Sequence, residues 1–215
     1  MIAEKTLPEI LPDEPLGLLE TWLRYATDRH SGPNPLKMAL ATANTDTGLP
    51  SVRMVLAKSL VTDPGYLVFY TNYRSRKARE LDGNTLAEGM FHWDELGLQV
   101  RVSGPVVRSP DEESDRYFAS RDRTSQLSAW ASEQSEPVTS RGALIERLER
   151  AKQRFADNTV PRPDFWGGYR LWFASVELWT SAEGRLHDRA IWTRSLAPEG
   201  DGFDADPWKA TRLQP

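Results

Sequence analysis

The sequence predicts an α+β fold in which short antiparallel strands form a barrel or sandwich and helices flank it. About seven or eight short runs rich in β-branched and aromatic residues follow one another along the 215-residue chain. Strands and helices do not alternate regularly, which argues against a doubly wound parallel sheet. The G-x-G-x-x-G and P-loop signatures are absent from the sequence, so a nucleotide would have to be held by side chains on strands and helix ends.

The first half of the chain is expected to contain most of the sheet. Residues 1–14 are polar and proline-rich and predict a flexible N-terminal arm, with residues 15–215 forming a single domain. Apolar residues at helical spacing predict a helix over 15–29. Strand patterns cover 37–44, 51–60, 66–70, 89–93 and 98–108, and a short helix is expected over 76–81. The last strand is the clearest, because Leu98, Val100 and Val102 alternate with polar residues.

The second half is expected to begin with helices and end with strands. Ser109, followed by Pro-Asp-Glu, is typical of a helix start, and that helix should run to about Ser120. A polar, partly helical connection over 122–137 precedes an amphipathic helix over 140–155. Strands are expected over 169–173, 176–179, 189–194 and 208–213, with a surface loop over 196–207.

Composition and charge exclude several classes of protein. The formal net charge is −4, so no overall positive field would recruit nucleic acid or an anionic membrane. The chain has no cysteine, which excludes disulfides, thiolate metal sites and a cysteine nucleophile. His30 is read as a surface residue and His92 as a strand residue, and neither has partners at metal-ligand spacing. The start of the sequence has no signal-peptide pattern and no apolar run reaches membrane length, so a cytoplasmic protein is expected.

Two sets of side chains suit phosphate groups. Ser75, Arg76 and Lys77 stand where a helix follows a strand, and a helix N-terminus with added cations is a natural anion site. Tyr117, Arg121 and Ser125 recur every four residues and would form one stripe of hydrogen-bond donors on a helix running on from Ser109. The alternative in both cases is a solvent-facing helix end.

For three further features the sequence does not decide between a surface position and a ligand contact. In an extended segment, Arg185, His187 and Arg189 would share one face within about 14 Å, either solvated or covered by an anionic ligand. Gln99 lies on the polar side of the clearest strand. Its amide is either simply exposed or hydrogen-bonds to the carbonyl and N–H groups of a heterocycle. Gln134 and Ser135 would ordinarily belong to a loop.

Seven strings in order, from about residue 34 to 215, resemble the pyridoxine/pyridoxamine 5′-phosphate oxidases. They are R-M-V-L-A-K (53–58), F-Y-T-N-Y-R-S-R-K (69–77), Q-V-R (99–101), Y-F-A-S-R-D-R-T-S-Q (117–126), W-A-S-E-Q-S (130–135), V-P-R-P-D-F-W-G-G-Y-R (160–170) and W-x5-R-L-H-D-R (179–189). The resemblance implies an antiparallel split β-barrel with flanking helices that forms a homodimer and binds FMN at the interface.

The resemblance also implies a role for each matching residue. The FMN phosphate would be held by Arg53, Arg76 and Lys77, and the ribityl chain and flavin would contact Tyr70, Thr71 and Gln99. The strand residues Met54, Val55, Leu56 and Lys58 belong to the same FMN-binding set. The other subunit would supply Gln134, Ser135, Trp179 and Arg189. The substrate phosphate would meet Lys58, Tyr117, Arg121 and Ser125, while the catalytic pair Arg185 and His187 would lie over the pyridine ring.

The implied reaction oxidises pyridoxamine or pyridoxine 5′-phosphate to pyridoxal 5′-phosphate, with O2 reduced to H2O2. Alternatives are a related flavin oxidase of the phenazine-precursor type and a non-catalytic FMN- or haem-binding split-barrel protein. The chain departs from the family pattern in its short acidic arm, in Asp122 where proline is common, and in Thr180 where glutamine is usual. Arg53 and Lys58 fall on opposite faces of a straight strand, which suits two different phosphates or requires a bulge.

Overall fold

The fold is built on a closed antiparallel barrel. The computed structural model describes residues 6–29, 32 and 34–215. Six strands form the barrel: β1 (Lys37–Ala43), β2 (Pro50–Val61), β3 (Tyr66–Asn72), β4 (Leu86–Trp93), β5 (Leu98–Arg108) and β6 (Trp166–Trp172). They follow the order β5-β4-β1-β2-β3-β6, and pairing between β5 and β6 closes the ring. The predicted α+β fold with an antiparallel barrel is confirmed.

Three more strands extend the sheet beyond β5, and two form a separate hairpin. They are β7 (Ser175–Thr180), β8 (Asp188–Thr193), β9 (Leu196–Glu199), β10 (Gly202–Ala205) and β11 (Lys209–Leu213), of which β7, β8 and β11 continue the barrel sheet. The surface loop expected over 196–207 contains the β9–β10 hairpin instead. No residue of strands β9 and β10 is fully buried. A hairpin without a buried face does not need alternating apolar residues, so the sequence carries no strand signal there.

Five α-helices lie among the described residues: α1 (Leu16–Arg29), α2 (Arg76–Gly83), α3 (Asp111–Ser120), α4 (Arg123–Ala131) and α5 (Arg141–Phe155). The buried Leu19 and Trp22 of α1 join the barrel core, whereas Phe118, Leu127 and Phe155 form a second core between α3, α4 and α5. None of the described helices is long and apolar enough to cross a bilayer.

The helix predicted after Ser109 does not continue to Ser125. Helix α3 ends at Ser120, and Asp122 begins α4 by accepting a hydrogen bond from the backbone N–H of Ser125 at 2.9 Å. The predicted helix end near Ser120 is therefore confirmed. The stripe of Tyr117, Arg121 and Ser125 on one continuous helix is not formed, because an aspartate that caps a new helix outcompetes continuation of the old one. Ser109 does not cap α3 either; Pro110 occupies the cap position.

Strand β5 changes partners at Gly104. Its residues 98–103 pair with β7, while residues 106–108 pair with β6. Gly104 has a φ of 156°, and a Cβ there would collide with the carbonyl oxygen of Trp172. Glycine is therefore needed where β5 turns from the sheet extension into the barrel closure.

The described part of the N-terminal arm is held against the sheet. Leu7 is buried, the indole N–H of Trp192 donates to the carbonyl of Pro12 at 2.8 Å, and Arg212 donates to the carbonyl of Pro8 at 2.8 Å. Residues 7–12 thus differ from the flexible arm expected for 1–14. Residues 1–5 of that arm, and His30, lie outside the described residues.

Candidate functional site

A cavity of about 440 Å³ lies between β2 and the start of α2, and we call it the β2–α2 cavity. It brings together most residues of the predicted FMN set, from strands β2 and β3, helix α2 and the loop after α4. The predicted residues that line it are Arg53, Met54, Val55, Tyr70, Thr71, Arg76, Lys77, Gln134 and Ser135. Two other predicted members of that set, Leu56 and Lys58, line a neighbouring cavity instead.

Lys77 supplies a buried positive charge to the β2–α2 cavity. Its ammonium donates to Thr71 Oγ1 at 2.9 Å, Ser75 Oγ at 3.0 Å and Gln134 Oε1 at 3.2 Å. Burial, followed by the nearby charge of Arg53, lowers the pKa of Lys77 to about 8. All three acceptors recorded within the described residues are neutral, and the nearby carboxylate of Glu80 only partly offsets the effects of burial and Arg53 on the pKa of Lys77. A bound anion would therefore stabilise the charged ammonium further.

Glu80 lies beneath the two arginines of the same cavity. Its Oε1 accepts from Arg76 Nε at 2.8 Å, and its Oε2 accepts from Arg53 Nη2 at 3.1 Å. The hydroxyls of Ser51 and Thr42 also donate to Oε2, at 2.6 and 2.5 Å. Burial alone would raise the pKa of Glu80, but these hydrogen bonds and the charge of Arg53 lower it to about 2.

Sequence reasoning missed Glu80. It stands four residues after Arg76, a spacing typical of an exposed helical ion pair. The structure leaves only 4% of its side chain exposed. Its burial depends on contacts with β1 and β2, which local sequence does not reveal.

A second cavity of about 480 Å³ lies beside the first, and we call it the β2–α4 cavity. All four members of the predicted substrate-phosphate set line it, namely Lys58, Tyr117, Arg121 and Ser125. The break between α3 and α4 thus leaves the predicted cluster intact, although it is not a single helical stripe. Tyr70, Thr71 and Gln134 line both cavities and form a shared wall.

Arg121 is the most informative side chain of the β2–α4 cavity. Its guanidinium lies 4.6 Å from the centre of the Trp166 ring and 5.6 Å from that of Phe118. Its Nη1 is buried and has no hydrogen-bond partner within the described residues. Burial lowers the pKa of this arginine. An unpaired buried donor in a cavity is the expected mark of a site for a ligand acceptor.

Stacked aromatic rings form one side of the β2–α4 cavity. The rings of Tyr70 and Tyr117 are 3.8 Å apart at an interplanar angle of 15°, and Trp166 stacks on Tyr70 at 5.6 Å. Burial, followed by the charge of Glu113, raises the pKa of Tyr70 to about 12. Tyr70 therefore remains a neutral hydroxyl on the wall between the cavities.

Strand β2 contributes cations to both cavities. Arg53 lines the β2–α2 cavity and Lys58 lines the β2–α4 cavity. The pairing of β2 with β3 also shifts register between Ala57 and Ser59. Both alternatives raised by the sequence therefore occur: the two cations serve different cavities, and the strand is irregular between them.

Gln99, Trp179 and Arg189 form a row across the sheet extension. Gln99 is directly opposite Trp179, which is directly opposite Arg189. Arg189 donates to Glu177 Oε1 through Nε at 3.0 Å and through Nη2 at 2.8 Å. None of the three lines either cavity in the described part of the protomer.

Within one protomer, the predicted FMN set falls into two groups that differ from the expected division. Gln134 and Ser135, expected from the other subunit, line the same protomer's β2–α2 cavity as Lys77. Gln99, expected beside Tyr70, instead belongs to one row with Trp179 and Arg189.

The predicted catalytic pair lies outside both cavities of the described protomer. Arg185 ends a 3-10 turn (Glu183–Arg185), has a φ of 63° and is exposed. His187 packs on Trp179 with ring centres 4.6 Å apart, and its Nδ1 accepts from the backbone N–H of Ala182 at 3.2 Å. The extended segment that would place Arg185, His187 and Arg189 on one face is not formed, since a turn through Gly184 precedes strand β8.

Known protein families and curated proteins match most of the chain. The family profile described as pyridoxamine 5′-phosphate oxidase matches residues 33–155. A second, described as the pyridoxine 5′-phosphate oxidase C-terminal dimerisation region, matches residues 166–215. A pyridoxine/pyridoxamine 5′-phosphate oxidase of Rubrobacter xylanophilus is 50% identical over 94% of this chain and 87% of its own length. One from Burkholderia mallei is 46% identical over 94% and 89%.

Solved structures include one similar protein and one more distant protein. PhzG from Burkholderia lata 383, solved with tetrahydrophenazine-1-carboxylic acid, has a TM-score of 0.83 and 33% identity over 95% of this chain and 94% of its own. A pyridoxamine 5′-phosphate oxidase-related FMN-binding protein from Nostoc punctiforme has a TM-score of 0.68 at 15% identity over 96% of this chain and all of its own, and bears on the fold alone. The chain belongs to the pyridoxamine 5′-phosphate oxidase family.

Proposed function

We propose that this protein is an FMN-dependent oxidase that converts pyridoxamine 5′-phosphate, pyridoxine 5′-phosphate or both to pyridoxal 5′-phosphate. The observation that carries the proposal is the pair of adjoining cavities, each with its own cations. Arg53, Arg76 and Lys77 line one, Lys58 and Arg121 line the other, and the two share a wall. A phosphorylated cofactor and a phosphorylated substrate would each need such a cationic end.

The β2–α2 cavity fits the phosphate of FMN in charge and in donors. Lys77 and Arg76 stand in the first turn of α2, where backbone N–H groups also favour an anion. Thr71 and Gln134, on the shared wall, offer hydrogen-bonding groups to the ribityl chain. Bound FMN would supply the two-electron acceptor that the side chains lack.

The β2–α4 cavity fits the phosphate of the substrate. Arg121 would satisfy its buried Nη1 on a phosphate oxygen, and Lys58, Tyr117 and Ser125 add three further donors. Holding this remote group would orient the substrate ring toward the shared wall, a positioning effect that lowers the barrier without any protein group reacting.

The proposed reaction balances with O2 as the final oxidant. The alcohol substrate gives pyridoxal 5′-phosphate and H2O2 from one O2. The amine substrate also consumes one water and releases ammonia, because the imine formed by oxidation is hydrolysed. The chain's part is to bind both phosphates and exclude other orientations of the ring.

We further propose that the active protein is a homodimer in which the row of Gln99, Trp179 and Arg189 completes the FMN site of the other subunit. The match of residues 166–215 to a dimerisation region supports this. So does the position of the row away from the cavities of its own protomer. Arg185 and His187 follow Trp179 closely and would approach the substrate from the same neighbouring subunit.

The decisive experiment is to add pyridoxamine 5′-phosphate or pyridoxine 5′-phosphate to the purified, FMN-loaded protein in air and to measure H2O2. Peroxide release with a phosphorylated substrate, and much less with unphosphorylated pyridoxamine, is expected. Bound flavin without peroxide from any of these compounds would contradict the proposal and favour a non-catalytic flavin-binding protein.

A second candidate is an oxidase of a tricyclic carboxylate, favoured by the likeness to PhzG. The four-donor set in the β2–α4 cavity argues for a phosphate, since a carboxylate has fewer acceptor oxygens to satisfy. Turnover with tetrahydrophenazine-1-carboxylic acid but not with a phosphorylated pyridine would reverse this order.

A further inference from the structure

We propose that Glu80 is a positioning residue that holds Arg53 and Arg76 side by side for the phosphate of FMN. This inference rests on the proposed FMN site and deepens it. Each oxygen of the carboxylate is assigned to one arginine, Oε1 to Arg76 and Oε2 to Arg53. Only 4% of the Glu80 side chain is exposed, so it acts from beneath the cavity.

Without Glu80, the local charges would repel one another. Arg76 and Lys77 stand at the positive end of the α2 dipole, and Arg53 lies close enough to lower the pKa of Lys77. A flexible, partly exposed arginine such as Arg76 would then turn toward water, losing the preorganisation that gives a phosphate its affinity.

The way Glu80 contacts Arg76 leaves room for a ligand. The carboxylate takes the Nε hydrogen, and no described residue accepts from the two terminal nitrogens of that guanidinium, so both can bind a phosphate. Ser51 and Thr42 donate to Glu80 and fix the carboxylate in turn. The carboxylate therefore orients the Arg76 guanidinium without occupying the nitrogens suited to bidentate phosphate binding. In Arg53, by contrast, both terminal nitrogens donate to protein acceptors, Glu80 among them, so Arg53 would act on the phosphate mainly through its charge.

The test compares the affinities of the apoprotein for FMN and riboflavin, which differ only in the phosphate. Glu80→Asp keeps the charge but shortens the reach, and Glu80→Gln keeps the reach but removes the charge. For both variants we expect the preference for FMN over riboflavin to fall by about tenfold or more, the loss of at least one charge-assisted hydrogen bond. Riboflavin affinity should stay near the wild-type value. Flavin fluorescence quenching measures both constants.

Glu113→Asp is the matched control. Glu113 is a partly buried carboxylate that accepts from Arg170 at 2.6 and 2.9 Å but lines neither cavity in the described protomer. This variant should keep the wild-type preference. A folded Glu80 variant that also keeps the preference would overturn the positioning role. If the wild type itself binds FMN no better than riboflavin, the proposed FMN site fails instead.

Discussion

Replacing Arg121 by Gln should separate protein stability from substrate affinity. In the unliganded protein, the buried and unpaired Nη1 costs about 1–3 kcal/mol. The contacts of the guanidinium with the rings of Trp166 and Phe118 return about 1–2 kcal/mol. Because these contributions nearly cancel, the free energy of unfolding should change by less than about 1 kcal/mol, or roughly 4 °C in Tm at most.

Substrate binding should respond far more strongly to the same change. In the proposed complex, Arg121 would make two charge-assisted hydrogen bonds to the phosphate, each worth about 1.5 kcal/mol. Their loss, about 3 kcal/mol, corresponds to a rise in KM of roughly 100-fold. The value of kcat should change little, because the phosphate is bound equally in the ground and transition states.

Steady-state kinetics and thermal unfolding of Arg121→Gln test both statements. Arg123→Gln is the matched control, since Arg123 is an exposed neighbour that donates to the carbonyls of Asn158 and Ala156 and does not line the cavity in the described protomer. It should keep the wild-type KM. A large fall in Tm for Arg121→Gln with an unchanged KM would refute the reasoning and make Arg121 a structural residue.

Four further predictions follow from the same geometry. Asp122→Asn should lower KM for the phosphorylated substrate by roughly two- to fivefold, because the Asp122 carboxylate lines the β2–α4 cavity and its negative charge would repel a phosphate. Asparagine can still accept the N–H of Ser125, and an unchanged KM at low salt would contradict this prediction. Above about pH 8, FMN affinity should fall as Lys77 loses its proton, and Lys77→Arg should remove that dependence in fluorescence titrations. The pKa of Lys77 in the folded protein, about 8, lies below its value of about 10.4 in the unfolded chain. Between these two pH values only the unfolded chain keeps the proton, so the stability of the apoprotein should rise with pH from about 8 to about 10.4. Mixing inactive Lys77→Met with inactive Arg189→Gln and allowing subunits to exchange should recover peroxide production, whereas two residues serving the same protomer's site would give no recovery.

The sequence was sufficient to predict a helix or strand where the local residue pattern alone determines it. Strand β5 has the bounds expected from the alternation that begins at Leu98, and its buried and part-buried residues alternate as predicted. The start of α2 was likewise predicted from Ser75, although its hydroxyl accepts from Lys77 rather than capping the helix. In both cases the local periodicity and the local cap residue coincide with the tertiary environment.

The sequence was insufficient to predict the backbone where regularly spaced residues were assumed to lie on a single helix or strand. The interval of four between Tyr117, Arg121 and Ser125 suggested one helix, yet the chain bends at Asp122 and still brings the three side chains to one cavity. The alternate residues Arg185 and His187 suggested an extended strand, but Gly184 adopts a left-handed conformation and starts a turn. In each place a turn or cap residue determined the backbone, and side-chain spacing did not.

Strand register limits which residues of one subunit can contact the same flavin. Gln99, Trp179 and Arg189 are directly opposite one another on three antiparallel strands, so their side chains must share one face of the sheet. If one of them contacts a flavin, the other two project toward the same side from the same subunit. Gln134 is excluded from that group because its amide oxygen is bound to Lys77 and Thr71 of its own protomer. The two groups would then contact a flavin from opposite sides, one holding its phosphate and wall contacts and the other covering it from the second copy, which makes cofactor binding and dimer formation mutually stabilising.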